Sequence, residues 1–357
     1  MVEPLVILTW RPFRLPLKRP LVTAQGALIE KRGWLLRLET GVGRSAPAGL
    51  GWGEAAPLCF NPATAQKRHR QLAEAIESFG GALPRQKLEA ALPGLPPELA
   101  FALGLALAEA DGLVGAAGGG WLAPPPSAVL LPAGEAAVAA LAAALDRPDA
   151  TPLTCKWKVA AAGDHAERQV LEQLLARLPA GSRLRLDANG GWDRATAWQW
   201  AERLAQDPRL DWLEQPLAPA DLSGLQALAR RVPVALDESL QHDPDLRRHW
   251  PGWQVRRPAV EGDPRPLLLA LQQASVGAKA GGGASPSGAV VLSTAFETGI
   301  AQRLVGHLAT LQSRGATPAA PGLAPGWQAA SALRAADPEA VWQAAGAALQ
   351  HEGGHSL

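Results

Sequence analysis

The stretch from Thr154 to Pro258 contains Lys156-Trp157-Lys158, Asp187-Ala188-Asn189, Glu214-Gln215-Pro216, Asp237-Glu238-Ser239 and Arg257-Pro258. Each motif lies at the end of a short apolar run, and the intervals are similar: 29 positions from Lys158 to Asp187, then 27 to Glu214, 23 to Asp237 and 20 to Arg257. A strand, a helix and two short loops require about that many residues, so each interval is typical of one βα unit. The spacing predicts that these lysines, carboxylates and arginine lie at the C-terminal ends of consecutive parallel strands, where a βα barrel builds its active site.

The sequence around this stretch predicts two kinds of structure. From Ser127 to about Leu311, strand-like and helix-like segments alternate in roughly seven βα units, which favours a parallel barrel over an open sheet. Residues 4–113 instead read as strands followed by helices, which indicates a separate α+β domain. Within it, residues 14–26 are expected to form a loop and Thr64 to cap a helix. Residues 277–288, rich in glycine, alanine and serine, are expected to be a flexible insertion.

The composition is that of a globular protein, 47% hydrophobic and 19% charged. A net charge of +1 and the lack of a basic stripe argue against a nucleic-acid partner. No apolar run is long enough to cross a membrane, and the N-terminus lacks the basic region of a signal peptide. Cys59 and Cys155 are the only cysteines, which is typical of reduced thiols, so a cytoplasmic location is expected.

Lys156 and Lys158 are two positions apart on a predicted strand, so their side chains should point the same way. Inside a barrel both would enter the lumen. The alternative is a pair of surface lysines on an edge strand, which the flanking Leu153 and Val159 disfavour. Two ammonium groups this close repel each other, which predicts a pKa lowered toward neutrality for at least one of them. A lysine with such a pKa can act as a general base.

Asp187, Glu214 and Asp237 each end an apolar strand on successive units. Any one of them alone could be a helix N-cap or a surface acid. All of them at matching positions are better explained by a shared cation, because clustered carboxylates otherwise repel one another. Oxygen ligands favour Mg²⁺ over Zn²⁺. Asn189 and Glu238 are expected to support these ligands through hydrogen bonds.

Together these motifs resemble the enolase superfamily, and within it the muconate-lactonizing subgroup and its o-succinylbenzoate synthases. The resemblance spans nearly the whole chain, including the segment Gly53-Glu54-Ala55-Ala56-Pro57-Leu58 and the strand end at Ser293-Thr294. It implies a modified TIM-type (β/α)7β barrel with an α+β capping domain formed by the N-terminal region and the C-terminal tail. The corresponding ranges are 1–123 for the capping domain, 124–318 for the barrel and 319–357 for a C-terminal segment that packs back on the cap.

The resemblance also implies roles for individual residues. The implied Mg²⁺ ligands are Asp187, Glu214 and Asp237, the implied catalytic residues are Lys158, Lys156 and Arg257, and the implied substrate-binding residues are Asn189, Ser293, Thr294 and Arg19. Lys158 would remove the proton α to the carboxylate of a small-molecule substrate, and the loop that bears Arg19 would close over the site. In an o-succinylbenzoate synthase the reaction is a syn elimination of water from 2-succinyl-6-hydroxy-2,4-cyclohexadiene-1-carboxylate. The product, 2-succinylbenzoate, serves menaquinone or phylloquinone biosynthesis.

One position departs from the family pattern. The family usually has Lys-Pro at the sixth strand, whereas this chain has Arg257-Pro258. Arginine does not deprotonate in proteins, so Arg257 cannot be a second base, although it can place a cation against the substrate. A racemase needs a base on both faces of its substrate carbon, so the substitution disfavours an N-acylamino-acid racemase. The alternatives are another member of the subgroup, namely an N-acylamino-acid racemase or a cycloisomerase, and a non-catalytic, carboxylate-binding barrel. The sequence does not indicate an oligomeric state.

Overall fold

A computed structural model describes residues 5–41, 49–147, 152–279 and 288–353 of the chain. Their N-terminal part forms an antiparallel sheet with the strand order β3-β2-β1-β4. Its strands are β1 (Leu5–Thr23), β2 (Gly26–Thr40), β3 (Leu50–Ala55) and β4 (Ala82–Pro84). The helices are α1 (Pro62–Glu77), α2 (Arg85–Ala91) and α3 (Pro97–Ala110). The predicted α+β character of the N-terminal region is therefore confirmed, and we call this part the cap.

The segment from Arg14 to Gly26 is not the loop that the sequence predicted. Strand β1 continues through both prolines of this segment, Pro16 and Pro20, to Thr23 and pairs with β2 in a long hairpin, whose turn is Ala24-Gln25. The register shifts between Pro16 and Leu21, because prolines lack the N–H that a ladder hydrogen bond requires. Alternate apolar side chains of the strand are buried, and this packing keeps it extended: Phe13, Leu15, Leu17 and Leu21.

Helix α1 is capped by Asn61 and not, as predicted, by Thr64. The Asn61 side chain accepts hydrogen bonds from the backbone N–H groups of Ala63 and Thr64, at 3.0 and 3.1 Å. Pro62 takes the first helical position, where the missing N–H costs no hydrogen bond. The helix therefore begins before the position that the sequence predicted.

The second part of the chain is a parallel sheet whose strands follow the order of the sequence. They are β5 (Val129–Leu131), β6 (Thr154–Lys158), β7 (Arg183–Asp187), β8 (Leu210–Glu214), β9 (Val234–Leu236), β10 (Trp253–Arg256) and β11 (Val290–Leu292). The helices that follow them are α4 (Ala136–Leu145), α5 (Asp164–Arg177), α6 (Arg194–Leu204), α7 (Leu222–Ala229), α8 (Glu238–His242), α9 (Leu246–His249), α10 (Arg265–Lys279) and α11 (Gly299–Ser313). Asp193 caps α6, as predicted, by accepting a hydrogen bond from the Thr196 N–H at 2.7 Å.

The C-terminal segment closes the gap between β5 and β11. Gly322 forms a parallel bridge with Ser293, just after β11, and the Pro321 carbonyl accepts a hydrogen bond from the Ala128 N–H at 2.9 Å, just before β5. This short segment acts as the eighth strand, so the open edges of the sheet are paired and a barrel results. The predicted (β/α)7β barrel is thereby confirmed, whereas the exact domain boundaries stay a prediction.

Helix α12 (Pro338–Gly353) then returns to the cap, where Val341 and Trp342 pack with Phe13 and Leu15 of β1. Short turns of 3-10 helix complete the secondary structure at Leu92–Gly94, Ala116–Gly118, Pro258–Val260 and Ala332–Arg334. In the part of the chain that is described, no helix is both long and apolar enough to cross a membrane. Residues 280–287 of the predicted flexible insertion lie outside the described residues.

Helix α3 lies between the cap sheet and the barrel, and its residues 98–108 are all buried. On one side Gly53 of β3 approaches so closely that a Cβ there would lie 2.2 Å from the Ala102 carbonyl oxygen. On the other side Phe101 packs in one cluster with Leu268 and Leu304 of the barrel. Glu54 adds a polar link, since its carboxylate accepts hydrogen bonds from the N–H and the hydroxyl of Thr298, the N-cap of α11, at 2.8 and 2.6 Å. The cap is therefore fixed beside the end of β11.

Candidate active site at the C-terminal ends of the barrel strands

Lys156 and Lys158 of β6 both point into the barrel, as their spacing predicted. Lys158 Nζ donates hydrogen bonds to Asp187 Oδ2 at 2.6 Å and to Asn189 Oδ1 at 2.9 Å. Lys156 Nζ lies 2.8 Å from the same Asp187 oxygen and 2.5 Å from Glu214 Oε1. Trp157, between the lysines, points the other way and packs among the helices. One oxygen of Asp187 therefore bridges both ammonium groups.

The pKa of Lys156 is raised, so Lys156 is not a lysine with the lowered pKa that the sequence predicted for at least one member of the pair. Burial alone would lower the pKa of Lys156, but the carboxylates of Asp187 and Glu214 outweigh burial and raise it above its ordinary value. The pKa of Asp187 is held well below its usual range: burial opposes this shift, but the ammonium groups of Lys156 and Lys158 outweigh it. Attraction to carboxylates, and not repulsion between lysines, therefore sets the protonation of Lys156.

Arg257, which follows β10, is paired with Asp237, which follows β9. Its Nε and Nη2 lie 2.9 and 2.6 Å from Asp237 Oδ2, and its Nη1 donates a hydrogen bond to the carbonyl oxygen of Thr294. The arginine is buried, which by itself would lower its pKa, but the Asp237 carboxylate reverses this effect and keeps the pKa of Arg257 above its ordinary value. Arg257 is thus a permanent cation in the site.

The acidic groups outnumber the basic ones at this end of the barrel. The carboxylates are Asp187, Glu214, Asp237 and Glu238, and the cations are Lys156, Lys158 and Arg257. Burial, followed by the neighbouring Asp187 carboxylate, raises the pKa of Glu214 to about 7. Burial and the carboxylates of Asp237 and Asp187 raise the pKa of Glu238 to about 8. Among the residues described, the buried Glu238 Oε2 has no hydrogen-bond partner.

The chemical type of these donors suits a hard divalent cation. The candidate ligands are all carboxylate oxygens, which Mg²⁺ prefers, and a bound dication would neutralise the surplus charge that raises the pKa of Glu214 and Glu238. The structure brings Asp187, Glu214 and Asp237 to one end of the barrel, but their oxygens face the lysines and Arg257. In the described ranges no group of three or more His, Cys, Asp or Glu side chains is arranged to hold a metal ion.

A cavity of about 60 Å³ lies between these charged groups and the cap. Its polar wall includes Lys156, Lys158, Asn189, Asp237, Glu238 and Arg257, and its apolar wall includes Leu21, Leu58, Phe60, Leu130, Phe296 and Ala324. Ser293 and Thr294 also line it, at the end of β11. The Thr294 hydroxyl donates a hydrogen bond to Glu297 at 2.5 Å, and the Ser293 hydroxyl donates one to the Gly322 carbonyl at 3.3 Å.

Arg19 does not line this cavity. It is exposed, and its guanidinium lies 4.1 Å from the centre of the Trp327 ring, because β1 extends through this position. The hairpin instead brings Leu21 and Gln25 to the cavity, and Gln25 Nε2 donates hydrogen bonds to the Asn189 carbonyl and to Glu238 Oε1, each at 3.2 Å. Sequence reasoning missed both residues. Gly26 could have indicated a hairpin turn here, because it closes the turn with a positive φ of 126°, which glycine adopts readily.

Comparison with known proteins gives relatives along most of the chain. Residues 137–250 match the family described as Enolase C-terminal domain-like. An o-succinylbenzoate synthase of Thermosynechococcus vestitus is 34% identical over 307 residues, which cover 84% of this chain and 87% of the relative. The crystal structure of o-succinylbenzoate synthase from Thermosynechococcus elongatus BP-1, complexed with Mg in the active site, has a TM-score of 0.69 at 31% identity, covering 91% of this chain and 94% of that one. The L-Ala-D/L-Glu epimerase of Bacillus subtilis shares the fold, with a TM-score of 0.67 at 18% identity over 90% of each chain.

Proposed function

Since the chain belongs to the o-succinylbenzoate synthase family of the enolase superfamily, we propose that it dehydrates 2-succinyl-6-hydroxy-2,4-cyclohexadiene-1-carboxylate to 2-succinylbenzoate. The protein is then a carbon–oxygen lyase whose product enters menaquinone or phylloquinone biosynthesis. The observation that carries the proposal is the position of Lys158. Its buried ammonium group borders the cavity and is held by Asp187 and Asn189.

In this proposal Lys158 is both the base and the acid. As a neutral amine, it removes the proton from the ring carbon that bears the carboxylate, and the electron pair of that bond moves into the carboxylate to form an enediolate. The protonated Lys158 then returns the proton to the hydroxyl group on the same face of the ring. The carbon–oxygen bond breaks, water leaves, and the ring becomes aromatic. Because one residue serves both steps, a base on the opposite face is not needed.

The other charged groups have supporting roles. The residues that would hold Mg²⁺ are Asp187, Glu214 and Asp237, and the ion would stabilise the negative charge that develops on the substrate carboxylate. Lys156, which contacts both Asp187 and Glu214, would favour the ionised form of these carboxylates. Arg257 would add a fixed positive charge beside the substrate.

The cavity walls suggest how the substrate lies. Ser293 and Thr294, at the end of β11, would bind the carboxylate of the succinyl arm, and Asn189 would contact the substrate from the polar wall. The apolar side chains of Leu21, Phe60 and Phe296 would face the ring. Arg19 is not part of this proposed binding site, since it is placed against Trp327.

We also propose a cytoplasmic location. Cys155 is buried and Cys59 is partly buried, and both are free thiols. Unpaired cysteines of this kind are typical of proteins in a reducing compartment.

The direct test is conversion of the cyclohexadiene substrate, followed by ultraviolet absorbance as the aromatic product forms. We expect turnover with Mg²⁺, loss of turnover after chelation, and recovery when Mg²⁺ is added back. The reason is that a bound Mg²⁺ would stabilise the negative charge of the enediolate. A parallel preparation of Lys158→Ala controls for contaminating host enzyme. No conversion in the presence of Mg²⁺ would refute the proposed reaction, and full activity in a metal-free preparation would refute the role of the metal.

Arg257 offers a sharper test of the charge arrangement. We expect Arg257→Lys to keep substantial dehydration activity, since it keeps a cation in the site. Arg257→Met should lose most activity, because a charge next to a developing enediolate in a closed site is worth several kcal/mol. The rate should be measured beside thermal unfolding, since Arg257→Met also leaves the buried Asp237 without its partner.

A separate prediction concerns racemisation, a reaction that requires a second base on the opposite face of the substrate carbon. The wild-type protein should not racemise N-acylamino acids. In deuterated water it should exchange the α-proton of at most one enantiomer, because only Lys158 is available as a base. Efficient exchange of both enantiomers would contradict the one-base arrangement and move the protein toward the racemases.

A further inference from the structure

A chain of hydrogen bonds connects the cap to Lys158. Gln25 Nε2, in the turn of the β1–β2 hairpin, donates to Glu238 Oε1 at 3.2 Å. The same Glu238 oxygen accepts a hydrogen bond from Asn189 Nδ2 at 2.8 Å. Asn189 Oδ1 in turn accepts one from Lys158 Nζ at 2.9 Å. Three segments that are distant in sequence therefore meet at the proposed base.

This chain fixes the orientation of the Asn189 amide. An amide offers a carbonyl oxygen that accepts and an NH₂ group that donates. If the Asn189 amide were flipped, its NH₂ group would face the Lys158 ammonium and its oxygen would face the Glu238 carboxylate, so both contacts would become repulsive. Glu238 thus holds the accepting oxygen toward Lys158. The Asn189 backbone also adopts a left-handed φ of 46°, which the loop after β7 maintains and asparagine tolerates.

The hairpin turn is packed tightly against the barrel at this point. A Cβ at Gly191 would lie 2.5 Å from the Ala24 Cβ, so glycine is required for the turn to approach this loop. The cavity beneath has a volume of about 60 Å³, whereas pockets for small molecules span roughly 300–1,000 Å³. The hairpin therefore leaves little room beneath it, and the Gln25 contacts belong to this closed arrangement.

We propose that Gln25 is a positioning residue for Lys158. When the hairpin closes, the Gln25 amide holds Glu238, Glu238 orients Asn189, and Asn189 holds the Lys158 Nζ at the cavity. Closure of the hairpin turn over the cavity and placement of the base are then one event. The inference rests on the proposed function, because it takes Lys158 as the base of the reaction.

The test is Gln25→Met, which keeps the length of the side chain and removes its hydrogen bonds. We expect kcat to fall about 2- to 13-fold, the range of one hydrogen bond, with little change in KM. Gln86→Met, on the exposed face of α2, is the matched control and should be unaffected. In an Asn189→Ala background, Gln25→Met should have no further effect on kcat, because the link to Lys158 is already broken. Gln25→Glu, which also removes the NH₂ donor that faces Glu238 Oε1, should lower kcat as well.

A different pattern would overturn the inference. If Gln25→Met changes only KM, or if its effect multiplies with that of Asn189→Ala, then Gln25 acts through hairpin packing alone. Amide hydrogen exchange provides a readout that does not depend on the reaction. The backbone amides of residues 187–190 should exchange faster in Gln25→Met than in the wild type, and this holds even if the wild type is inactive as a synthase. Equal exchange rates would refute the positioning role and would leave the proposed function untouched.

Discussion

Lys158→Ala is expected to lower kcat by at least about 10²–10⁴-fold, the contribution of a positioned acid–base group. The reason is that one side chain performs both proton transfers in the proposed elimination. Its Nζ is buried at the cavity wall and is held by Asp187 and Asn189, so a water molecule would not take the same position and orientation. The measurement is single-turnover formation of 2-succinylbenzoate at saturating Mg²⁺, which separates the chemical step from product release.

Lys158→Arg distinguishes a base from a mere positive charge, and two other lysine variants serve as comparisons. Lys158→Arg keeps the cation but cannot deprotonate, so it should be as inactive as the alanine variant. Lys87→Ala removes an exposed lysine of α2 and should turn over normally. Lys156→Ala should cost less than Lys158→Ala, since Lys156 acts through Asp187 and Glu214. Near-normal turnover of Lys158→Ala would show that another residue is the base.

The second large effect is expected for Asp237→Asn. The substitution keeps the shape of the side chain and removes the negative charge through which we propose that Asp237 binds Mg²⁺. Changes to residues that merely support a metal ligand typically cost 10–100-fold in affinity, so loss of a direct ligand should weaken Mg²⁺ binding by at least about tenfold. Activity should fall in parallel. Isothermal titration calorimetry of the metal measures the affinity without relying on the reaction.

The matched control for this prediction is Asp245→Asn. Asp245 is exposed and pairs with Arg248 at the surface, so its loss should leave Mg²⁺ affinity unchanged. Thermal unfolding of both variants separates loss of metal from loss of fold, because Asp237→Asn also leaves Arg257 facing a neutral amide. Unchanged Mg²⁺ affinity in Asp237→Asn would mean that Asp237 serves Arg257 alone. Glu238, whose Oε2 has no hydrogen-bond partner among the described residues, would then be the next candidate ligand.

Much of the barrel and its charged rim could be predicted from the sequence because the determinants are local. Side chains alternate along a strand, so the spacing of Lys156 and Lys158 was sufficient to place both in the lumen. Parallel strands end at the same edge of a sheet, so regular intervals of βα length were sufficient to bring Asp187, Glu214 and Asp237 together. The N-cap at Asp193 is likewise a property of a few neighbouring residues.

Tertiary structure alone decided which charges meet and where the cap touches them. The raised pKa of Lys156 depends on carboxylates 31 and 58 positions away, which the two neighbouring lysines alone could not indicate. Likewise the prolines of β1 suggested a loop, whereas pairing with β2 and burial of alternate side chains kept the segment extended. The hydrogen bonds of Gln25 depend on contacts across 164 and 213 positions. Electrostatic and packing energies of this kind are sums over groups that only the folded chain brings within a few ångströms, so no local pattern could predict them.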